Sequence, residues 1–579
     1  MEVPSDQLKP VKDQDVPRRK GGLKTMPFVI SNEALEKVAS IGLQVNMIFY
    51  LTEVYHLSNA TSLILLFAYN AISHFLPVFG AFLSDSCLGR FRVIGLGTIV
   101  TTLGILVLWF TALFKHARPP QCDLDVPDSC VKPKAGQLAI LLLSFILMAI
   151  GAGGIRPCSL AFGADQFDNP DNPNNGKVLQ TFFNWYYASV GISVLLAFTV
   201  IVYIQTRAGW VVGFAVPFVL MLISCVMFFL GSGLYVKIKA KKSLLTEFAQ
   251  VISAARKNKH LEYPPADADG VYHHRKGSRL VVPTERLRFL NKACIIRNPA
   301  TELKVDGTAA DPWRLCTVHQ VETLKALIKV LPIWSTGIMI AVTISQHAFP
   351  VLQANSMHRR LSEHFEIPAG SFGVFGVVAL TIWLAIYDRL AVPLLAKYTK
   401  HPRGITLRQR MGAGLALSCM ALAVAAIVER TRRARAIHEG LADKPQAVVN
   451  MSAMWLVPQH CLTGIAEAFN AIGQIQFYYS QFPRSMGSIG VALFSMGMGI
   501  GNLVGSLIVT ILSKATKGDG KGSWVSNNIN HGHYDYYYWI LFGLCVVNFF
   551  YFVYCSWAYG SEEQNVWDDV ESSSEEDLA

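Results

Sequence analysis

Three ionisable side chains stand close together inside the first long apolar run of the chain. The run extends from Met26 to Leu51 and contains Glu33, Glu36 and Lys37. On a helix of 3.6 residues per turn these three side chains share one face, with both carboxylates beside the ammonium. A carboxylate next to an ammonium in a low-dielectric site has an adjustable proton affinity, which proton coupling requires. The pattern therefore indicates a site that takes up and releases protons.

The element that carries these charges must cross a membrane. The run is about 26 residues long, which is enough to span a bilayer as a helix at about 1.5 Å per residue. A charge that faced lipid at the bilayer centre would cost about 3 kcal/mol on insertion scales. We therefore expect the charged face to point at partners or water inside a helix bundle. A purely structural alternative is an i,i+4 pair of Glu33 and Lys37, with Glu36 bonded to a neighbouring helix.

The composition is that of a polytopic membrane protein. Of the 579 residues, 52% are hydrophobic and 16% are charged, so a soluble fold is excluded. The net charge of +11 comes mainly from segments assigned to the cytoplasm, so it indicates topology and contact with the lipid bilayer rather than nucleic-acid binding. The cysteines and histidines lack zinc spacing and the chain lacks a Walker A motif. We therefore expect no metal, no cofactor, no ATP-driven pumping and no enzymatic activity.

Twelve apolar runs follow one another, six on each side of a hydrophilic break. This arrangement predicts an all-α membrane protein with twelve transmembrane helices in two six-helix bundles, the major facilitator fold. Basic residues before the first run and in the break predict cytoplasmic termini, at the plasma membrane. In the break, apolar residues at helical spacing between Leu244 and Ile252 predict an amphipathic helix along the membrane surface or the bundle. The predicted division is 1–25 basic tail, 26–236 first bundle, 237–326 linker, 327–558 second bundle and 559–579 acidic tail.

Several features belong to loops that this topology places outside the cell. Two N-x-[ST] sites begin at Asn59 and Asn450, and four arginines between 430 and 435 follow the ninth run, which is expected to end near 428. Cys122 and Cys130 share one external loop, where a disulfide is open as an alternative to two free thiols. The arginine cluster runs against the positive-inside rule.

A loop motif after the second run resembles the major facilitator signature. In that signature, glycines permit close helix contact, and an Asp and an Arg brace the two halves. A degenerate counterpart follows the eighth run. The residues concerned are Gly80, Asp85, Gly89 and Arg90 in the first loop, and Asp388 and Arg389 in the second.

Five pieces of sequence, taken together, resemble the plant nitrate/peptide transporter family, a branch of the proton-dependent oligopeptide transporters. The likeness covers nearly the whole chain and is greatest to the first plant subfamily. The pieces are Glu33-x-x-Glu36-Lys37, the stretch 151–167 that contains Arg156, the aromatic stretch 182–187, the stretch 311–322, and Glu467.

The resemblance implies roles for individual residues. Glu33, Glu36 and Lys37 would occupy the proton-coupling motif, Arg156 the cation position of the fourth span, and Glu467 a tenth-span carboxylate used in substrate binding or gating. Further candidates for substrate contact are Gln346, Trp334 and Tyr187. His74, in the second run, is expected to be hydrogen-bonded packing rather than a proton relay.

Two departures from the family pattern bear on the substrate. The aromatic residues that contact peptide in peptide-transporting members are replaced here by Val38, Ser40 and Ile41, so a dipeptide is not expected. Where nitrate-binding relatives can carry a histidine, this chain has Ile344, so nitrate would need another contact such as Arg156 or Gln346.

Charge counting then gives a coupling scheme. Glu33, Glu36, Lys37, Arg156 and Glu467 sum to minus one when all are ionised, so an anion would be tolerated only after protonation. Uptake against an inside-negative potential costs roughly 2.3 kcal/mol per charge per 100 mV, which requires at least two protons per anion. We expect a proton-coupled importer of a small anion, nitrate first, with plant hormones (gibberellin, jasmonate or abscisate type) or glycosides as the alternative. A nutrient receptor with little net transport is a second alternative, and a homodimer is left open.

Overall fold

Most of the described residues are helical. The structure is a computed structural model that describes residues 20–121, 130–167, 175–238, 244–264, 270–274, 282–305, 307–399, 404–482, 487–517 and 523–560. The basic tail before residue 20, the acidic tail after 560 and Cys122 lie outside this range. The predicted fold class, an all-α membrane protein of the major facilitator type, is confirmed.

The long helices of the described residues group into twelve spans in chain order. They are span 1 Met26–Val45, span 2 Asn59–Leu83, span 3 Arg90–Leu113, span 4 Ala135–Phe167, span 5 Asn175–Leu196, span 6 Val202–Leu230, span 7 Val318–Thr336 with Ile338–Ile344 and Ala348–Asn355, span 8 Val374–Ile386 with Val392–Thr399, span 9 Leu407–His438, span 10 Val457–Gln481, span 11 Gly487–Ala515 and span 12 Tyr534–Ala558. Helix geometry continues from span 5 into Val202–Leu230 and breaks inside that element at Gly209, whose φ is 78°.

Length and apolar character explain most of these spans. In the described ranges, eight helical stretches are long and apolar enough to cross a membrane, one of them being spans 5 and 6 together, and a bent pair makes span 7. Spans 1 and 10 have membrane length but carry the polar residues of the site described below. Their polar content is tolerated because it faces the interior of the bundle.

The two halves repeat one packing scheme. Span 3 packs on spans 4 and 6, and span 9 packs on spans 10 and 12 in the same way. Span 1 contacts span 5 as span 7 contacts span 11, and span 2 contacts span 4 as span 8 contacts span 10. Spans 1–6 therefore form a first half and spans 7–12 a second half of equivalent design, as expected of transporters built from repeats.

Glycines let span 4 approach its neighbours. A Cβ at Gly80 of span 2 would overlap the carbonyl oxygen of Gly153, and a Cβ at Gly154 would lie 2.9 Å from the carbonyl oxygen of Val93 on span 3. Small residues permit such close backbone contact in membranes. The approach fixes span 4, and with it Arg156, inside the first half.

The loop motif holds each half together rather than bracing one against the other. Arg90 Nη1 donates to both carboxylate oxygens of Asp165 at 2.9 and 2.7 Å, and its Nε lies 3.7 Å from Asp85 Oδ1. All three residues belong to the first half. Asp388 lies within electrostatic reach of Arg410, again inside one half. The expectation that Asp and Arg brace the halves is therefore wrong for this conformation.

Span 9 extends ten residues beyond its expected end near 428, to His438. Arg432 is fully buried and forms a bidentate pair with Glu429, with both N···O distances at 2.8 Å. Glu429 also accepts from Gln353 at 2.8 Å, and Arg432 donates to Asn530 at 2.7 Å. This arginine is a buried helical cross-link, so it belongs to the bundle and not to the loop that the sequence predicted.

Hydrogen bonds join the halves at one face of the bundle. We call the face where span 1 begins and span 12 ends the terminal face, and the other the opposite face. At the opposite face Asn59 Nδ2 donates to the carbonyl oxygens of Ser526 and Asn527 and to Tyr534 Oη, at 3.1 to 3.3 Å. Asn59 is buried, so its amide is closed to glycosylation in this conformation.

The linker docks on the terminal face. Its helix, Leu244–Lys257, packs with buried Phe248 and Val251 against the turn Arg288–Ala293 and the start of span 7. The short helix Pro299–Glu302 follows the turn Arg288–Ala293 in the chain. The sequence left open whether this helix lies along the membrane surface or along the bundle. The structure shows that it contacts the bundle.

Short strands and a disulfide complete the opposite face. Met357–His358 pairs in parallel with Val449–Ser452, and Arg360–Ser362 pairs in antiparallel fashion with Phe365–Glu366. Cys130 is disulfide-bonded.

Arg432→Ala should lower the free energy of unfolding by about 3–5 kcal/mol, because it leaves the Glu429 carboxylate buried and uncompensated. Thermal unfolding of the detergent-solubilised protein measures the loss. The matched control is Arg430→Ala, since Arg430 lies two residues away with an exposed side chain. Equal unfolding temperatures for the two variants would contradict the structural role of Arg432.

Candidate transport site

Four charged side chains meet between spans 1 and 4. Lys37 Nζ lies 3.4 Å from Glu33 Oε1 and 3.5 Å from Glu36 Oε2, and Arg156 Nε lies 3.8 Å from Glu36 Oε1. Glu33 and Glu36 are buried, while the side chains of Lys37 and Arg156 remain 18% and 21% exposed. We call these four residues the charge cluster. It contains two acids and two bases, so it is neutral when all four are ionised.

Polar contacts hold span 1 in the orientation that forms the cluster. Asn32 Nδ2 donates to Ser224 Oγ of span 6 at 3.0 Å and to Thr98 Oγ1 of span 3 at 3.4 Å. One turn after Glu36, Ser40 Oγ donates to Glu36 Oε1 at 2.6 Å. Span 1 is thus tied to two helices of its own half and cannot turn its charged face outward without breaking these bonds.

Some polar atoms of the charge cluster can still form hydrogen bonds. Glu33 Oε2, Glu36 Oε2 and Arg156 Nε are buried and make no hydrogen bond in the described part of the chain. A buried polar atom without a partner carries the cost of its lost hydration. A proton on either carboxylate, or a ligand at the guanidinium, would relieve that cost. The cluster is therefore equipped to accept a proton and an anion.

A large cavity lies between the two halves, and the cluster residues are not among its described lining residues. Its volume is about 630 Å³ and most of its walls are apolar. The imidazole of His74 lines it and lies within electrostatic reach of Arg156 and Lys37. The polar lining residues are Gln44, Asn70 and His74 from the first half, and Ser345, His347, Thr381, His460, Thr463 and Glu467 from the second.

Glu467 reaches the cavity but stands apart from the cluster. It lines the cavity wall from span 10 and has neither an ion pair nor a hydrogen bond among the described residues. The charge count from the sequence treated five residues as one site, and the structure corrects it to a neutral group of four and a separate carboxylate. Carboxylates near the cavity therefore occur in each half, two in the cluster and Glu467 on span 10.

Three other predicted contact residues, like Arg156, are not among the residues that line this cavity, although Gln346 lines a smaller pocket next to it. Both the nitrogen and the oxygen of the Gln346 side-chain amide are hydrogen-bonded. Nε2 donates to Val342 O and Oε1 accepts from Tyr537 Oη, each at 2.8 Å. Trp334 Nε1 donates to Leu493 O at 2.7 Å and so links spans 7 and 11. Tyr187 is exposed near Tyr479, towards the terminal face. Their roles in binding stay predictions.

Sequence reasoning missed the histidines of the second half. His347 and His460 line the cavity, and His347 lies within electrostatic reach of both His74 and His460. His347 lies in the break between Ile338–Ile344 and Ala348–Asn355, and both His347 and Ile344 line the cavity. It therefore presents an imidazole near the place where nitrate-binding relatives can have one, and a search for histidines within a few residues of Ile344 could have found it. Within the described ranges, these residues and their neighbours form no group that could hold a metal ion.

Comparison with known proteins gives a consistent result. The model of the POT family matches residues 91–525. From Arabidopsis thaliana, Protein NRT1/PTR FAMILY 1.2 is 50% identical over 97% of this chain and 93% of its own length. Protein NRT1/PTR FAMILY 1.1 of the same plant is 49% identical over 98% of this chain and 97% of its own.

Solved structures share the fold at low sequence identity. The POT family transporter PepTSo aligns with a TM-score of 0.68 and 16% identity over 93% of this chain and 99% of its own. An auto-inhibited POT family peptide transporter aligns with a TM-score of 0.68 and 20% identity over 94% of this chain and 99% of its own. At such identity the likeness concerns the fold alone.

Arg156→Gln should destabilise the protein by about 3 kcal/mol or more, because it leaves a net negative charge buried in the cluster. The double variant Glu36→Gln/Arg156→Gln restores neutrality, so it should recover part of the loss, as measured by thermal unfolding in a double-mutant cycle. Arg92→Gln is the control, since Arg92 is exposed. Additive losses in the cycle would show that Glu36 and Arg156 do not interact.

Proposed function

The chain belongs to the POT family of membrane transporters, and on that premise we propose that it is a proton-coupled symporter that imports a small anionic solute. The observation that carries the proposal is the neutral charge cluster, whose carboxylate oxygens Glu33 Oε2 and Glu36 Oε2 make no hydrogen bond in the described ranges. The cluster lies within electrostatic reach of His74, which lines the cavity. With all groups ionised, the cluster offers an anion no net attraction. A proton on Glu33 or Glu36 gives it a net positive charge, so the anion and the proton stabilise each other.

Glu467 supplies the second proton in this scheme. Entry of one monovalent anion against an inside-negative potential costs roughly 2.3 kcal/mol per 100 mV, and one proton only cancels that cost. A second proton, carried on Glu467, makes net inward movement of charge positive. The cluster carboxylates and Glu467 lie in different halves. Both groups must therefore take up and release a proton in each cycle of alternating access.

Two substrate classes have separate support. Nitrate, the first expectation from the sequence, needs little more than the cations Arg156 and Lys37 and a few donors. An organic monocarboxylate of hormone size is favoured by the cavity, because about 630 Å³ with mostly apolar walls matches a pocket for a small organic molecule. The cavity volume of a conformation that is open to one side sets only an upper limit on the size of the substrate. The volume is therefore compatible with both nitrate and an organic monocarboxylate.

The positions that contact peptide in peptide-transporting members support the exclusion of dipeptides. Val38 is buried and Ser40 is bonded to Glu36. Only Ile41 of these three lines the cavity. An apolar side chain there offers a dipeptide a surface but no polar contact.

The direction of transport follows from the proposed topology. We place both termini and the linker in the cytoplasm, at the plasma membrane, because the linker and the segment before span 1 are basic. The bonded Asn59 contacts then lie outside the cell, so this conformation has its external side closed. A proton gradient directed inward would drive the anion into the cell.

Glu36→Gln should abolish acid-stimulated uptake while leaving the protein at the membrane. Tracer uptake and two-electrode recording in oocytes at pH 5.5 and 7.5, with nitrate, a gibberellin and a dipeptide offered in turn, measure this and identify the substrate. The exposed carboxylate Glu363 provides the control Glu363→Gln. Unchanged pH dependence in Glu36→Gln would return this residue to a structural role and contradict the proposal.

Glu467→Gln should convert electrogenic uptake into electroneutral uptake, because one of two protons per anion is lost. Tracer uptake at low external pH should persist in this variant while the inward current falls to background. An inward current per transported anion equal to that of the unaltered protein would exclude Glu467 as a proton carrier.

A further inference from the structure

A second, smaller cavity opens beside the large one within the second half. It has a volume of about 60 Å³ and lies among spans 7, 9, 10 and 12. Ile344, His347, His460 and Thr463 line both cavities, so the two spaces share a wall. We call the smaller space the side pocket.

The side pocket contains buried polar atoms without partners. Gln459 is only 4% exposed, and neither its Nε2 nor its Oε1 makes a hydrogen bond in the described ranges. The Nε2 of His460, next along span 10, is also buried and unbonded. Native structures pair nearly all such groups with protein, water or ligand. Three unpaired atoms in one small space therefore indicate an occupant that the protein chain does not supply.

The chemistry of the lining restricts the occupant. The side pocket has polar residues but no acid, lysine or arginine in its lining. An amide presents one donor and one acceptor side by side. A hydroxyl or another neutral group that both donates and accepts would satisfy both. Nitrate has acceptors only, so it would leave Gln459 Oε1 facing a negative charge.

We propose that the side pocket binds a neutral hydrogen-bonding group of the substrate, so that the substrate is an organic monoanion with a second, uncharged polar end. This inference rests on the proposed function, because the charge cluster is taken to hold the anionic end. The apolar walls of the large cavity then contact the carbon skeleton between the two ends. Gln459 and His460 become specificity-determining residues of the second half, and a substrate bound in this way contacts both halves at once.

The proposal is tested first on the protein without substrate. Gln459→Leu removes an amide that has no partner, so the unfolding temperature should stay equal or rise. The matched control is Gln474→Leu on the same span, because Gln474 is equally buried but donates to Asn470 and accepts from Tyr478. That variant should unfold at a lower temperature. An equal loss in both variants would show that Gln459 has ordered partners such as water, and would overturn the proposal.

Uptake kinetics test the ligand chemistry. Gibberellin A4 and gibberellin A9 share a skeleton, and the second lacks the hydroxyl of the first. We expect a KM for gibberellin A4 at least about tenfold below that for gibberellin A9, since a pocket built for a hydroxyl rejects the analogue without it. Gln459→Leu should remove this difference while keeping the pH profile of uptake.

The outcomes separate this inference from the proposed function. Uptake that Glu36→Gln abolishes, but with nitrate as the sole substrate or with equal KM values for the two gibberellins, would overturn the side-pocket proposal and leave proton coupling in place. If uptake persists unchanged in Glu36→Gln and the KM difference still depends on Gln459, the proton-coupling role of Glu36 is overturned. The side-pocket proposal then stands.

Discussion

Two carboxylates buried within about one helical turn of each other, inside a helix bundle that lipid surrounds, impose the main constraint on this molecule. Burying one unpaired charge costs several kcal/mol, so Glu33 and Glu36 persist only because Lys37 and Arg156 approach them. The rest of the first half serves that approach. Glycines bring span 4 close to spans 2 and 3, and the Asn32 contacts fix the rotation of span 1. Pairing is incomplete, and the unbonded oxygens that remain leave room for a proton.

The second half carries a different kind of polar group. Its cavity wall presents Glu467, which has no ionic partner among the described residues, together with His347, His460 and the amide of Gln459 nearby. One of its buried ion pairs, Arg432 with Glu429, lies in the packing at the opposite face. The cationic groups near the cavity, Lys37 and Arg156, thus belong to the first half, whereas hydrogen-bonding groups line the cavity from both halves.

The sequence predicted well both the fold and the part of the candidate site that lies in spans 1–6. Twelve apolar runs and the charges of span 1 were sufficient for the fold class, and the family resemblance, including the first plant subfamily, is confirmed by relatives that bear its number. Burial of Glu33 and Glu36 follows from the cost of charge in lipid, a rule that acts on each residue locally. Arg156 was assigned by resemblance, and the glycines nearby explain physically how it reaches Glu36.

Contacts between distant spans could not be predicted in the same way. Arg432 was assigned to a loop because hydropathy counts its charge and cannot see Glu429 one turn before it as a buried partner. Arg90 was expected to brace the halves, yet Asp165, 75 residues further on, takes its guanidinium. The separation of Glu467 from the cluster depends on how the two halves meet, and the surroundings of Gln459, whose amide has no hydrogen-bond partner in the described ranges, depend on how spans 7, 9, 10 and 12 pack. No periodicity in the sequence records either arrangement.

The central claim is that the charge cluster binds an anion only together with a proton. Proton uptake on anion binding to the purified protein, measured by calorimetry in buffers of different ionisation enthalpy, tests it most directly. The account predicts that at least one proton is taken up for each anion bound near neutral pH. Anion binding with no proton uptake, at an affinity that does not change between pH 5.5 and 7.5, would contradict it.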